Sequence, residues 1–147
     1  MIEFLTILSL MFGFNPPEIS AAGMSCLQRN VYFEARNQSL EGKLAVASVT
    51  LNRKRSESFP DRVCDVVEQK RGKVCQFSWV CSTHALRLSN RLEQIAWIES
   101  WVAAAYVATA GPWLEDALYF HTTAVDPYWN KRVPLLVVID DHIFYGS

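Results

Sequence analysis

The stretch from about Leu92 to Ala110 constrains the fold more than any other part of the chain. Ile95, Ile98, Val102 and Tyr106 recur along one side of it at helical spacing, while Trp97, Trp101, Ala104 and Ala108 fall on the other. A helix apolar around most of its circumference is expected at the centre of a fold. Gly111-Pro112 ends it. A chain of 147 residues, half of them hydrophobic, is long enough to wrap such a helix in one domain. It can bury about two-thirds of its unfolded surface.

The remaining elements follow from local pattern. Met24, Leu27 and Val31 predict a first helix over about 22–37, and Leu44, Ala47 and Leu51 a second over about 40–54. Asn37-Gln38-Ser39 is the turn between them, which makes a tight helical pair. Ser58-Phe59-Pro60 breaks the pattern, and Asp61 is expected to cap a short third helix ending near Glu68. Arg71-Gly72-Lys73 reads as a polar turn and Val74 to Val80 as a strand or extended loop. Near the end, Val133 to Ile139 and His142 to Tyr145 predict two short strands around Asp140-Asp141. The expectation is an α+β domain, mostly helical, with a small C-terminal antiparallel sheet.

Charge and cysteines narrow the class. With 14 basic and 15 acidic residues the net charge is -1, which gives no reason to expect nucleic acid. Phe4 to Phe14 is largely apolar but too short to cross a bilayer, which needs about 20 residues. Glu3 is the only charge before it, and Ser20 to Gly23 are small. Residues 1–23 therefore read either as a terminal helix or as a degenerate export signal, ahead of a single domain over residues 24–147. Cys26, Cys64, Cys75 and Cys81 allow three pairings. The closeness of Cys75 to Cys81 favours a local disulfide, leaving Cys26 with Cys64; free buried thiols are the alternative. A zinc site has less support, since no Cys-x-x-Cys occurs and the three histidines are scattered. No metal and no cofactor is expected.

One residue stands out of place. The apolar stripe through Leu27 and Val31 continues to position 34, which is glutamate. A buried carboxylate is costly unless paired or protonated. Arg36 cannot reach it within one helix. Either Arg53 or Arg55 of the second helix forms a structural salt bridge with Glu34, or desolvation raises its pKa and poises it as a general acid. Position alone leaves both open.

Motifs further along bear on the choice. Val31-Tyr32-Phe33-Glu34-Ala35-Arg36 is followed by Glu41 to Arg53, by Phe59-Pro60 with Val63 to Val67, and by Cys75-Gln76-Phe77-Ser78-Trp79. Ala117 to His121, Val125 to Trp129 and His142 to Tyr145 complete the series. In this order they resemble the cell wall hydrolase family typified by the spore cortex-lytic enzyme SleB and its relative CwlJ. The resemblance covers about residues 25–146. It implies a lysozyme-like fold related to lytic transglycosylases, acting on the glycan strands of peptidoglycan, with the catalytic glutamate at Glu34. Family members often carry glycine-glutamate after the arginine, where this chain has Asn37-Gln38. A second acidic role is then either missing or passed to Glu41.

The expected reaction cleaves the β-1,4 bond between N-acetylmuramic acid and N-acetylglucosamine. The favoured outcome is 1,6-anhydro-muramyl ends; hydrolysis, assisted by Glu41 or Asp126, is the alternative. Substrate contacts are expected from Gln76, Phe77 and Ser78, from Tyr119 and His121 on one face of an extended segment, and from Trp129. For Phe77 and Trp129 a core position competes with sugar contact, for Gln76 the capping of a backbone group, and for His121 a structural role. A non-catalytic wall-binding module and a peptidoglycan amidase are the readings from other classes. A monomer working in the periplasm or outside the cell is expected. The absence of a separate wall-binding module leans towards a phage endolysin.

Overall fold

The computed structural model describes residues 17–82 and 85–147. The apolar run Phe4–Phe14 and His84 lie outside the described residues. Among these residues four helices pack together, and a small sheet closes one side.

Helix α1 (Ala21–Ala35) starts at Ser20, whose hydroxyl accepts from the Gly23 amide. Ile19 is already in the core and Glu18 already paired, so the boundary expected at residue 23 falls within α1, and ordered structure precedes it. α1 ends two residues short of Asn37. Helix α2 (Leu40–Arg55) is capped in the same way by Ser39, and nearly every residue from Gly42 to Leu51 is buried. Short α3 (Val63–Val67) begins after Arg62, with no side chain capping it. The cap expected from Asp61 is therefore absent, because the chain is still non-helical through Arg62 and the helix opens one residue too late for it.

The segment read as one strand divides in two. Lys70–Arg71 (β1) and Val74–Cys75 (β2) pair as a minimal hairpin, turned by Gly72 at φ 62°. Ser78–Cys81 then forms a 3-10 turn.

Helix α4 (Arg91–Ala110) runs from an Asn90 cap to Gly111 at φ 85°. It is not buried all round. Ala96, Ser100, Ala103, Ala104 and Val107 face the core, while Leu92, Ile98 and Trp101 are exposed. Physical size explains the reversal. Small side chains let α4 approach α1 and α2 closely, so the large apolar residues are left on the outer face.

Tyr119–Thr122 (β3), Leu135–Ile139 (β4) and His142–Tyr145 (β5) make an antiparallel sheet in the order β3-β5-β4. The hairpin β4-β5 matches the expected pair of strands. A 3-10 turn, Tyr128–Arg132, fills the gap between β3 and β4. Both disulfides are present, Cys26–Cys64 tying α1 to α3 and Cys75–Cys81 tying the small hairpin to the 3-10 turn. No described helix is long and apolar enough to cross a membrane.

Candidate active site

Glu34 is the last residue but one of α1. Its carboxyl makes no ion pair and accepts no hydrogen bond among the described residues. Arg55 is committed elsewhere, held by Glu18 through two contacts of 2.7 Å. Burial pushes the Glu34 carboxyl up to about 7, and only the charge of Arg53 opposes this. The negative end of the α1 dipole also disfavours an ionised group there. Glu34 can thus hold its proton near neutral pH and release it without a large shift.

Arg53 sits at the heart of the arrangement. Only 3% exposed, it donates from Nε to the Leu118 carbonyl at 2.7 Å, while its buried Nη1 has no hydrogen-bond partner among the described residues. Its guanidinium lies over three rings, 5.0 Å from Phe59, 5.5 Å from Phe77 and 5.8 Å from Tyr119. Desolvation pulls its pKa down to about 10, against the raising influence of Tyr119 and Glu34.

A groove of about 810 Å³ opens beside Arg53. Gln76, Tyr119, Phe120 and Trp129 line it, together with Phe59 and the β1-β2 hairpin. Glu34 is not part of its wall; the link between them is Arg53, which borders the groove and whose charge reaches the carboxyl. Phe77 is buried beneath Arg53, and Ser78 is exposed outside the groove lining. Tyr119 and His121 share a face of β3, both against the Trp129 ring. His121, however, is buried, with its ring nitrogens 2.7 Å from the Thr122 carbonyl and 2.8 Å from the Tyr145 hydroxyl. Its place is under Trp129, not on the groove surface.

Gln38 has a structural task. The Gln38 amide donates to Asp141 and accepts from the Asp141 backbone, while Asp140 holds both the amide and the hydroxyl of Ser39. This clamp joins the β4-β5 turn to the junction of α1 and α2. A carboxylate at 38 could not donate in it. Glu41 is exposed, and Asp126 is exposed and tied to Asn130; neither lines the groove. Among the described residues, no three His, Cys, Asp or Glu side chains come together as metal ligands.

Sequence reasoning missed the centrality of Arg53 and the role of Phe59. Buried arginine on a helix rich in Val and Ala was the available signal.

Residues 37–145 match the cell wall hydrolase family. The chain belongs to that family. The match begins just beyond Glu34, but likeness in structure reaches further. The catalytic domain of the germination-specific lytic transglycosylase SleB from Bacillus anthracis is 26% identical, with a TM-score of 0.67 over 90% of this chain and 100% of that one. The catalytic domain of the Bacillus cereus SleB protein is also 26% identical, with a TM-score of 0.62 over 89% of this chain and 94% of its own. No curated protein matches in sequence. The hydrolase is therefore an enzyme of the bacterial cell wall, built on the SleB catalytic fold.

Proposed function

We propose that this hydrolase cleaves the β-1,4 bond between N-acetylmuramic acid and N-acetylglucosamine as a lytic transglycosylase, with Glu34 as both acid and base. One observation carries the reading. Glu34 is a desolvated carboxyl with no partner among the described residues, poised to be protonated at about 7 and coupled by charge to Arg53, which borders a groove walled by aromatic rings. General acid catalysis works best when the pKa lies near the working pH.

Protonated Glu34 donates to the glycosidic oxygen, which leaves as the 4-hydroxyl of N-acetylglucosamine. The muramyl C1 passes through an oxocarbenium-like state, supported by its own 2-acetamido group. Glu34, now ionised, takes the proton from the muramyl 6-hydroxyl, and that oxygen attacks C1 to close the 1,6-anhydro ring. The proton given to the leaving oxygen is replaced by the one taken from the 6-hydroxyl, and O6 supplies to C1 the electron pair that left with the glycosidic oxygen, so a single carboxyl suffices. Hydrolysis would call for a second carboxylate about 5–9.5 Å away, whereas Glu41 and Asp126 are both exposed to solvent and Asp126 is tied to Asn130.

In this scheme Tyr119 and Trp129 stack on sugar faces, Gln76 hydrogen-bonds an acetamido group, and Phe77 and His121 support the rings from below. Ser78 would contact substrate only beyond the groove edge. The neighbour from Bacillus anthracis is itself a lytic transglycosylase, and two disulfides suit a protein working outside the cytoplasm, in the wall.

Mass analysis of digested peptidoglycan tests the proposal. Anhydro-muramyl ends are expected; reducing ends carrying added water would replace the transglycosylase step with hydrolysis.

A further inference from the structure

The groove is charged in a way that a neutral sugar chain does not require. Four cations border it, Arg53, Lys70, Arg71 and Arg132, and no carboxylate does. The whole chain holds 14 basic and 15 acidic residues, so a lining with four of one sign and none of the other is a local concentration. Arg53 belongs to the floor. The other three form a rim, and two segments remote in sequence bring them there: Lys70 and Arg71 from β1, Arg132 from the end of the 3-10 turn over Tyr128–Arg132.

These three do not serve the fold. All are exposed, and none forms an ion pair with a carboxylate among the described residues. Arg132 instead rests its guanidinium 5.7 Å from the ring of Tyr128, itself exposed. Elsewhere Lys54 and Arg55 share Glu18, and Lys43 holds Glu99; what sets Lys70, Arg71 and Arg132 apart is that they border one groove together, with no carboxylate in its lining. Like charges gathered without counter-ions repel one another, and an anionic ligand would relieve that repulsion while gaining complementary potential.

We propose that Lys70, Arg71 and Arg132 recognise the free carboxylates of the short peptides attached to the muramyl residues, so that stem-bearing strands are cut in preference to bare ones. The inference rests on reading the groove as a glycan site. Peptidoglycan glycan is uncharged along its sugar backbone, and its carboxylates sit on the peptide, several bonds away from the ring. A floor of aromatic groups with cations displaced to the rim matches that separation. Arginine also suits a carboxylate because its planar fork can bond both oxygens.

The test compares two preparations of the same glycan, one with intact peptides and one stripped of them by an amidase, with the lactyl carboxylates that stripping exposes converted to neutral amides. For the unmodified protein, kcat/KM should favour the stem-bearing strands, chiefly through KM. Exposed ion pairs give a gain of two- to threefold each, hence about tenfold for three. In the triple variant Lys70→Gln, Arg71→Gln, Arg132→Gln the ratio should fall towards one. Stem-bearing strands whose carboxylates have been converted to amides should likewise lose the advantage with the unmodified protein, an arm that needs no variant to fold. An equal rate on both preparations, or a preference that survives amidation, overturns the proposal. Competition by a wall phosphate polymer without sensitivity to amidation would assign the rim to that polymer and overturn it too. Failure of the glycan reading would look different: neither preparation would yield cleaved strands.

Discussion

Helix α2 buries two cations, and the contrast between them separates structure from chemistry. Lys43 is 1% exposed and fully employed, with the Glu99 carboxylate at 2.9 Å and the Gln38 carbonyl at 2.6 Å. Arg53 is 3% exposed and only part employed: one carbonyl, three rings, a free Nη1 and no carboxylate in contact. Burying a charge is tolerated when its partners replace the lost water. Lys43 meets that condition within the protein. Arg53 does not, and the groove beside it is where a missing partner would come from. The same holds for Glu34, the other unpartnered charge nearby. Incomplete satisfaction is tolerated in a fold at places where a ligand completes it.

Several substitutions would break this contrast if it is wrong. The largest effect is expected from Glu34→Gln, which removes a general acid. Release of soluble fragments from purified peptidoglycan should drop by about 10²–10⁴-fold, with wall binding retained. An active variant would move the chemistry elsewhere.

The same variant makes a second, opposite prediction for stability. A carboxyl whose folded pKa stands at about 7, above its ordinary value of 4.5, costs stability when ionised. That cost is absent below about pH 4.5, grows as pH rises, and is complete above about 7. Glu34→Gln should therefore stabilise the fold at pH 8 by on the order of 3 kcal/mol and leave it unchanged at pH 4. Denaturant midpoints at the two pH values would check this. Activity of the unmodified protein should decline as pH rises through 7, since the acid is lost there.

Lys43→Met should reduce stability by about 2 kcal/mol, because the Gln38 carbonyl loses its charged donor. Glu99 reaches solvent and softens the loss. Its remaining activity should track the folded fraction. Arg53→Met should behave in reverse, with activity down by about tenfold and stability within about 1 kcal/mol of the parent, because removing an incompletely solvated buried charge offsets the donor lost to the Leu118 carbonyl. Because Arg53 alone lowers the Glu34 pKa, the alkaline limb of the pH profile should move upward in this variant. If both variants lost activity only in proportion to unfolding, the distinction between the two cations would collapse.

Much of the fold was legible because periodicity carries it. Leu27 and Val31 marked α1, Leu44 to Leu51 marked α2, and the alternation around Asp140-Asp141 marked the β4-β5 hairpin. What resisted reading was short or depended on distant partners. Two-residue strands such as Lys70–Arg71 leave no period to detect. The buried side of α4 followed from the size of its residues, not from their hydrophobicity, and pattern alone could not rank Ala above Trp. At the site, Glu34 drew notice because it interrupted an apolar stripe. Whether it had a partner depended on Arg55 turning to Glu18, a contact with no local signature.

The clamp between Gln38, Ser39 and the Asp140-Asp141 turn spans more than a hundred positions of sequence. On a ribosome, Glu34 emerges more than a hundred residues ahead of the turn that secures the end of its helix. Non-local closure of this kind is slow relative to helix formation. A chain stopped ahead of Asp140 is thus expected to carry the acid without its setting, which ties the power to cut a wall to the synthesis of that distant turn.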